Sequence, residues 1–548
     1  MKMLTFKFCK MIRNRILLLI LVLATAQNMQ AQIWKDTVAL IEKALAKYKP
    51  GNPGYEIAIS RSGRTIFFKA SGMADLEHGV KMTPRTVSEV GSVSKQFTAA
   101  AILLLEQQGK LSLDDNVLKF LPELPACYAN VKLRHMMHHT SGIRDWGAVA
   151  ALTGWPRSTK TYDNDDALEI ICHQEALNNK PGDEFVYSNS NYNLFAIIVK
   201  RVSGMSLADF TRKYIFEPAG MLNTSWRDDY KKVVQNRAMA YSKDSGGYYN
   251  DMPGESAYGN GGLLTTADDL LKWEQYYLSG KLGGSSLLLK QTTPDVFNNG
   301  LPNNYCAGLV LDTTGGWINF SHAGGVAGYR AYLANFPQLD LAIAFLSNTS
   351  EFDGQSVAAP IGNIFVKNKI TEEKKPKAFR YLSADELQKF TGLYRNDKWG
   401  EALQISLRGD TLVSEWDGPL TALNDNDFKA ATAELVFDKN GLYYITPPDT
   451  IHFSPVKRPD NKTAAYLGQY YSEEAQTTAN ILMKDDVLTL HLSPQQEYVL
   501  IPIYENGLWV KGLDYYLLFE KDSNGVVTRM NASAYRGRNI KFIKIKTE

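Results

Sequence analysis

Ser92 and Lys95 stand three residues apart in Gly91-Ser92-Val93-Ser94-Lys95, where a segment begins whose Phe97, Ala101, Leu104 and Leu105 share one helical face before Gly109. One helical turn brings the lysine amine beside the serine hydroxyl. A hydroxyl is a poor nucleophile until a base removes its proton, and a lysine in a dehydrated pocket has its pKa lowered far enough to be that base. Amide dipoles at the start of the helix stabilise negative charge forming nearby. The pair therefore suits acyl transfer through a serine ester. Ser454-Pro455-Val456-Lys457 has the same spacing, but Pro455 and the alternating sequence around it predict no helix there.

Tyr187-Ser188-Asn189 follows the turn residues Pro181-Gly182-Asp183 and precedes a helical pattern from Tyr192 to Val202. A phenol near a lysine ammonium deprotonates more easily and can relay a proton between Ser92 and a leaving group. The Tyr-x-Asn triplet also begins at Tyr128, Tyr162, Tyr248, Tyr394 and Tyr504, so position and not the triplet singles out Tyr187. His322-Ala323-Gly324-Gly325 holds the one His-x-Gly of the chain and is expected to lie just before a strand beginning at Tyr329. Its glycines allow a substrate backbone to approach a strand edge closely. The backbone amides of Ser92 and Gly325 are the candidate oxyanion hole.

These groups need a scaffold, and the pattern supplies one. Apolar residues at helical spacing run from Trp34 to Tyr48, followed by two alternating stretches around Ser62-Gly63 that predict a hairpin. A second strand pair is predicted around Pro337 to Leu339, and a helix from Val357 to Phe365. Between them lie helical patterns over Lys95–Gln108, Leu133–His139, Asp166–His173, Tyr192–Val202 and Ala267–Leu278. An antiparallel sheet built from both ends of residues 32–370 and flanked by helices, an α/β (α+β) sandwich, accounts for this order. After Lys369 the texture changes. Residues 371–384 read as a charged linker, and the rest alternates in short strands. LQKFTGLYRND at Leu387 and AAYLGQYYSEE at Ala464 repeat an aromatic followed by Gly and Tyr, giving β units over 385–460 and 461–548. These form either one lipocalin-like barrel or two small ones.

A chain of 548 residues exceeds the ~250–300 that one core supports, so several domains are expected. With 60 basic and 58 acidic residues the net charge is +2, and the short Lys374, Lys375, Lys377 group sits in the linker, so nothing points to nucleic acid. Residues 1–31 have a basic start and an apolar run from Ile16 to Ala26, the layout of a secretory signal. That run is short of the ~20 residues of a spanning helix, so a released periplasmic or extracellular protein with no stable membrane span is expected. Cys127, Cys172 and Cys306 make no disulfide framework. His135, His138 and His139 lack the Glu a zinc protease motif would place after His135, and no metal or cofactor is expected.

Taken in order, the three groups resemble the serine β-lactamase and penicillin-binding-protein superfamily in its class C β-lactamase-like branch. SVSKQFTAAAILLLEQQGKLSLDD, LRHMMHHTSGI and YGNGGLLTTADDLLKW extend the likeness over about residues 34–370. His322 stands where dedicated β-lactamases of that branch carry Lys, which is more similar to its DD-peptidases and D-aminopeptidases. The resemblance implies Ser92 as nucleophile, Lys95 as general base and Tyr187 as proton shuttle. Asn189 would bind the substrate amide, and His322 with Gly324 would face its carboxylate. It further implies hydrolysis of D-alanyl-type peptides, amides or esters, cell-wall peptide among them, with the β units resembling accessory barrels that shape the cleft. Two other functions stay open: a non-catalytic envelope binding or scaffold protein, and a promiscuous carboxylesterase.

Overall fold

Six antiparallel strands form the central sheet: β1 (Tyr55–Arg61), β2 (Arg64–Ser71), β3 (Val310–Thr314), β4 (Trp317–Val326), β5 (Tyr329–Phe336) and β6 (Leu341–Ser347), in the order β3-β4-β5-β6-β1-β2. The computed structural model describes residues 32, 34–157, 159–352, 354–365, 379–446, 449–459, 463–493 and 496–545. The expected signal segment and residues 371–378 of the expected linker lie outside them. The sheet is sewn from distant segments, with Tyr55 of β1 opposite Ser347 of β6 and Arg61 opposite Leu341.

Alternation along the strands decides which layer each face meets. Ile57, Ile59, Ile343 and Phe345 point to a cluster completed by Ile41 and Leu45, from a helix over residues 34–45, and by Val357 and Ile361. Ala58, Ala342, Ala344 and Leu346 point the other way, into the main core. Four helices matter for the site: α1 (Lys95–Gln107), α2 (Asn189–Ser203), α3 (Ala267–Leu278) and α4 (Gly354–Phe365). α3 packs on β1 and β6, and α4 packs on β5 and β6. Small alanines on the inner face of the sheet let α3 approach it. α1 is buried all round from Lys95 to Leu103, as befits a helix at the centre of a core. Thr266 caps α3 by accepting the Asp269 amide at 3.2 Å, and Trp273 donates to Gln96 Oε1 at 2.6 Å.

Two details depart from the sequence reading. Gly91–Ser94 is a 3₁₀ turn that feeds α1, so Ser92 precedes the α-helix and does not open it. The His322-Ala323-Gly324-Gly325 group does precede the strand that begins at Tyr329, but it lies inside β4 itself, with Gly324 opposite Ala331 and Gly325 opposite Arg330. Paired glycines weaken the strand pattern in sequence, while pairing with β5 restores it in the fold; the pairing with β3 stops at Ser321, before the group begins.

The C-terminal part resolves the two β arrangements in favour of two sheets. Strands between Gly392 and Val456 form a nine-stranded sheet whose end strands, Gly418–Pro419 and Thr421–Ala422, are neighbours in the chain, so it nearly closes on itself. Strands between Gly468 and Lys544 form a closed eight-stranded barrel, ending in the hairpin β7 (Val527–Ala534) and β8 (Gly537–Lys544). Each has its own apolar interior, around Leu403, Leu435 and Phe453 in the first and Ile481, Leu517 and Phe542 in the second. Val149 and Leu152 of the N-terminal part join the barrel's cluster, which fixes the barrel against it. Ser454–Lys457 falls at the end of a strand, as its proline foretold.

Candidate active site

Residues of a 3₁₀ turn at i and i+3 eclipse one another, and this places Lys95 Nζ 3.1 Å from Ser92 Oγ. On the other side of Oγ, the Tyr187 hydroxyl donates to it at 2.8 Å. Tyr187 precedes α2, whose first residue, Asn189, presents Oδ1 to Lys95 Nζ at 2.9 Å. The Asn260 carbonyl takes a further N–H of Nζ at 2.6 Å. Asn189 is oriented by Asp145, whose Oδ2 accepts both the Asn189 backbone amide (2.7 Å) and its side-chain amide (2.9 Å). Asp145 is held in turn as the cap of the helix Trp146–Leu152, its Oδ1 accepting the Gly147 amide.

Electrostatics set the protonation states. Burial, reinforced by the positive charge of Arg536, holds the Lys95 pKa well below the ordinary lysine value. An uncharged amine has two N–H groups and one lone pair. Asn260 O and Asn189 Oδ1 are acceptors that take the two N–H groups, so the lone pair is left for the Ser92 hydroxyl. The Tyr187 hydroxyl is shifted the opposite way from the sequence expectation: burial raises its pKa well above that of a free phenol. Burial outweighs the Ser92 hydrogen bond and the Arg536 charge, both of which act to lower it. Tyr187 therefore rests as a protonated donor.

β4 lies directly against the turn that carries Ser92. Gly91 has a φ of +48°, and a Cβ there would come within 2.7 Å of the Gly325 amide nitrogen. A Cβ on Gly324 would collide with the Val90 carbonyl oxygen. The two glycines thus bring the Gly325 amide next to Ser92. His322 is buried, with Nδ1 donating to the Ala323 carbonyl at 2.6 Å and Nε2 accepting from the Tyr305 hydroxyl at 2.9 Å. Burial lowers its pKa to about 4, so the imidazole is neutral at physiological pH. The sequence-selected residues converge, except that Gly324 packs against the Val90 carbonyl and does not line the cavity. Ser92, Tyr187, Asn189, His322 and Gly325 line one cavity of about 550 Å³, with Lys95 beneath its floor.

Sequence reasoning missed Asp145, Asn260, Tyr305 and Arg536. Asn260 lies within the YGNGGLLTTADDLLKW stretch already noted, so a signal existed for it. Arg536 comes from the tip of the β7–β8 hairpin of the barrel and lines the same cavity. The three histidines tested for a metal each have a partner: His135 Nδ1 accepts the Lys132 amide (3.2 Å), His139 Nδ1 the Ser188 amide (3.2 Å), and His138 Nδ1 lies 2.8 Å from the Tyr305 carbonyl. Cys127, Cys172 and Cys306 are free thiols.

Comparison with known proteins bears on this arrangement. A D-aminopeptidase of Brucella anthropi is 24% identical over 540 residues, covering 93% of this chain and 99% of that protein. Among solved structures, the penicillin-binding protein homologue from Pyrococcus abyssi aligns with a TM-score of 0.53 at 21% identity, over 93% of this chain and 99% of its own. The D-amino acid amidase from Ochrobactrum anthropi SV3 aligns with a TM-score of 0.51 at 21% identity, over 60% of this chain and 97% of its own. The Beta-lactamase family profile matches residues 35–362, which contain every selected residue from Ser92 to Gly325, and the chain belongs to the Beta-lactamase family.

Proposed function

We propose that this chain is an exported serine hydrolase that forms an ester on Ser92 with the acyl part of D-alanyl-type peptides, amides or esters and then hydrolyses it. Support comes from Ser92 Oγ lying between the Lys95 amine at 3.1 Å, whose pKa burial lowers, and the Tyr187 hydroxyl at 2.8 Å. Lys95 takes the Oγ proton as Oγ attacks the substrate carbonyl carbon. The resulting oxyanion is received by the amides of Ser92 and Gly325, each such donor contributing roughly 2.7–4 kcal/mol. Collapse breaks the bond to the leaving group, which takes the Tyr187 proton, and the Lys95 ammonium replaces that proton. Water, activated by the same pair, then releases the acyl group. Asn189 holds the substrate amide, while His322, Ala323 and Gly325 form the wall on the β4 side. Relatives named D-aminopeptidase and D-amino acid amidase favour D-configured substrates. Export rests on the basic start and apolar run of residues 1–31, and no helix among the described residues is long and apolar enough to cross a membrane.

The test is turnover of D-amino amides, D-alanyl dipeptides and short esters, with labelling by a serine-reactive phosphonate. Ser92→Ala is expected to lose the label and to lower turnover by about 10⁴-fold or more. Labelling that survives Ser92→Ala, or no Ser92-dependent turnover of any substrate, overturns the proposal and leaves a binding protein.

A further inference from the structure

Of the charged groups lining the cavity, Arg157 and Glu255 are paired, while Asp251 and Arg536 have no ion-pair partner among the described residues. Arg157 is gripped by both carboxylate oxygens of Glu255, with Nε 2.8 Å from Oε2. Asp251, the cavity's other carboxylate, accepts the Ser242 hydroxyl at 2.6 Å. Arg536 has no carboxylate partner among the described residues. Its guanidinium lies over the Tyr187 ring, 4.7 Å from the centroid, and so next to the group that touches Ser92 Oγ.

This cation is presented by design of the fold and does not dangle. Its own carbonyl accepts the Asp145 amide at 2.9 Å and the Asn178 side-chain amide at 3.0 Å. On either side, the Tyr535 hydroxyl donates to the Phe185 carbonyl at 3.3 Å and Arg538 donates to Glu184 Oε2 at 3.1 Å. A hairpin pinned at four points holds one guanidinium at the cavity wall with its hydrogen-bonding edge unclaimed by any carboxylate. Guanidinium and carboxylate form strong, charge-assisted and geometrically selective pairs. His322 cannot take this role as a charged group, because it is neutral and both its ring nitrogens are engaged.

Resting on the serine-hydrolase reading above, we infer that Arg536 is the anion receptor of the cavity and that the preferred substrate carries a carboxylate there. A substrate whose charge is a free amino group meets the unpaired Arg536 and can turn only to Asp251, whose Oδ2 already accepts the Ser242 hydroxyl. The barrel therefore selects substrates as well as covering the site.

Two matched pairs test this. N-acetyl-D-alanyl-glycine against its carboxamide puts the carboxylate on the departing part, and 4-nitrophenyl hydrogen succinate against its methyl ester puts it on the acyl part. D-alanine 4-nitroanilide supplies the cationic comparison. The wild type is expected to favour the acid of at least one pair by about tenfold or more in kcat/KM. Arg536→Ala erases that ratio, Arg536→Lys keeps part of it, and Arg536→Glu turns the preference toward the cationic substrate. Equal turnover of acid and neutral partners by the wild type, or an acid preference that survives Arg536→Ala, overturns the assignment of Arg536 alone. Absence of Ser92-dependent turnover for every substrate overturns the hydrolase reading on which it stands.

Discussion

In the first β unit the Tyr394 hydroxyl donates to the Phe390 carbonyl at 3.0 Å, and in the second the Tyr470 hydroxyl donates to the Tyr466 carbonyl at 2.8 Å, each across four residues. The repeated aromatic, Gly and Tyr are therefore one corner built twice. In each unit the loop after that corner strand touches the N-terminal part of the chain, but on different terms. Lys398 of the first meets Glu184 at 2.8 Å with both side chains a quarter or more exposed (30% and 25%). Glu474 of the second meets Arg144 with both at 1%. Glu474 also accepts the amides of Glu175 and Lys541, each at 3.0 Å. An exposed pair of this kind is worth roughly 0–1 kcal/mol, whereas a buried pair leaves a stranded charge if either partner is lost. Equivalent loops have become a fringe contact in one unit and a docking lock in the other.

The first unit still serves the second. Trp399 packs edge-on against Tyr535, with centroids 5.2 Å apart, and Arg538 lies 5.4 Å above its ring. One sheet braces the hairpin that the other extends into the cavity.

Substitutions at these contacts break or sharpen the contrast. Glu474→Ala strands Arg144 and is expected to cost about 3–5 kcal/mol in denaturant unfolding, with protease sensitivity appearing at the barrel junction. Trp399→Ala removes the brace and is expected to cost about 3 kcal/mol, while raising KM more than it lowers kcat. Arg536→Ala acts on the chemistry. In the proposed reaction Lys95 acts as base and must be uncharged, and Arg536 helps keep its pKa low, so removing that charge raises the Lys95 pKa and moves the acid limb of kcat/KM to higher pH. Arg536→Lys leaves the limb in place, and a limb unmoved by Arg536→Ala would show the hairpin to be electrostatically idle. Lys398→Ala is expected to change stability by at most about 1 kcal/mol. A loss as large as that of Glu474→Ala would erase the distinction between the two loops.

Much of this was legible in the sequence, for local reasons. Ser92 and Lys95 are close in the chain, so their spacing nearly dictates their contact. The 3₁₀ turn was not legible, because a three-residue spacing suits α and 3₁₀ geometry alike. Period-two alternation exposed the strands of both β units, and the recurring Tyr exposed their kinship. What stayed hidden depends on distant segments meeting. Asp145 is one of 58 acidic residues and acquires its role only when its helix cap is set beside Asn189. Arg536 is one of 60 basic residues, and nothing in Ala534-Tyr535-Arg536-Gly537 beyond a short turn announces that the barrel will deliver it to Ser92. The phenol's resting state was misjudged because the degree of burial cannot be counted from a sequence.

The placement of Arg536 also sets an order of events during synthesis. Serine, lysine and tyrosine precede β6, whose pairing with β1 closes the sheet, so they can be brought together only once Ser347 has been made, and the hairpin that completes their cavity follows later still. Until the strands on either side of it complete the barrel, Arg536 is missing from the cavity wall, so any selection it makes arrives after the sheet has formed.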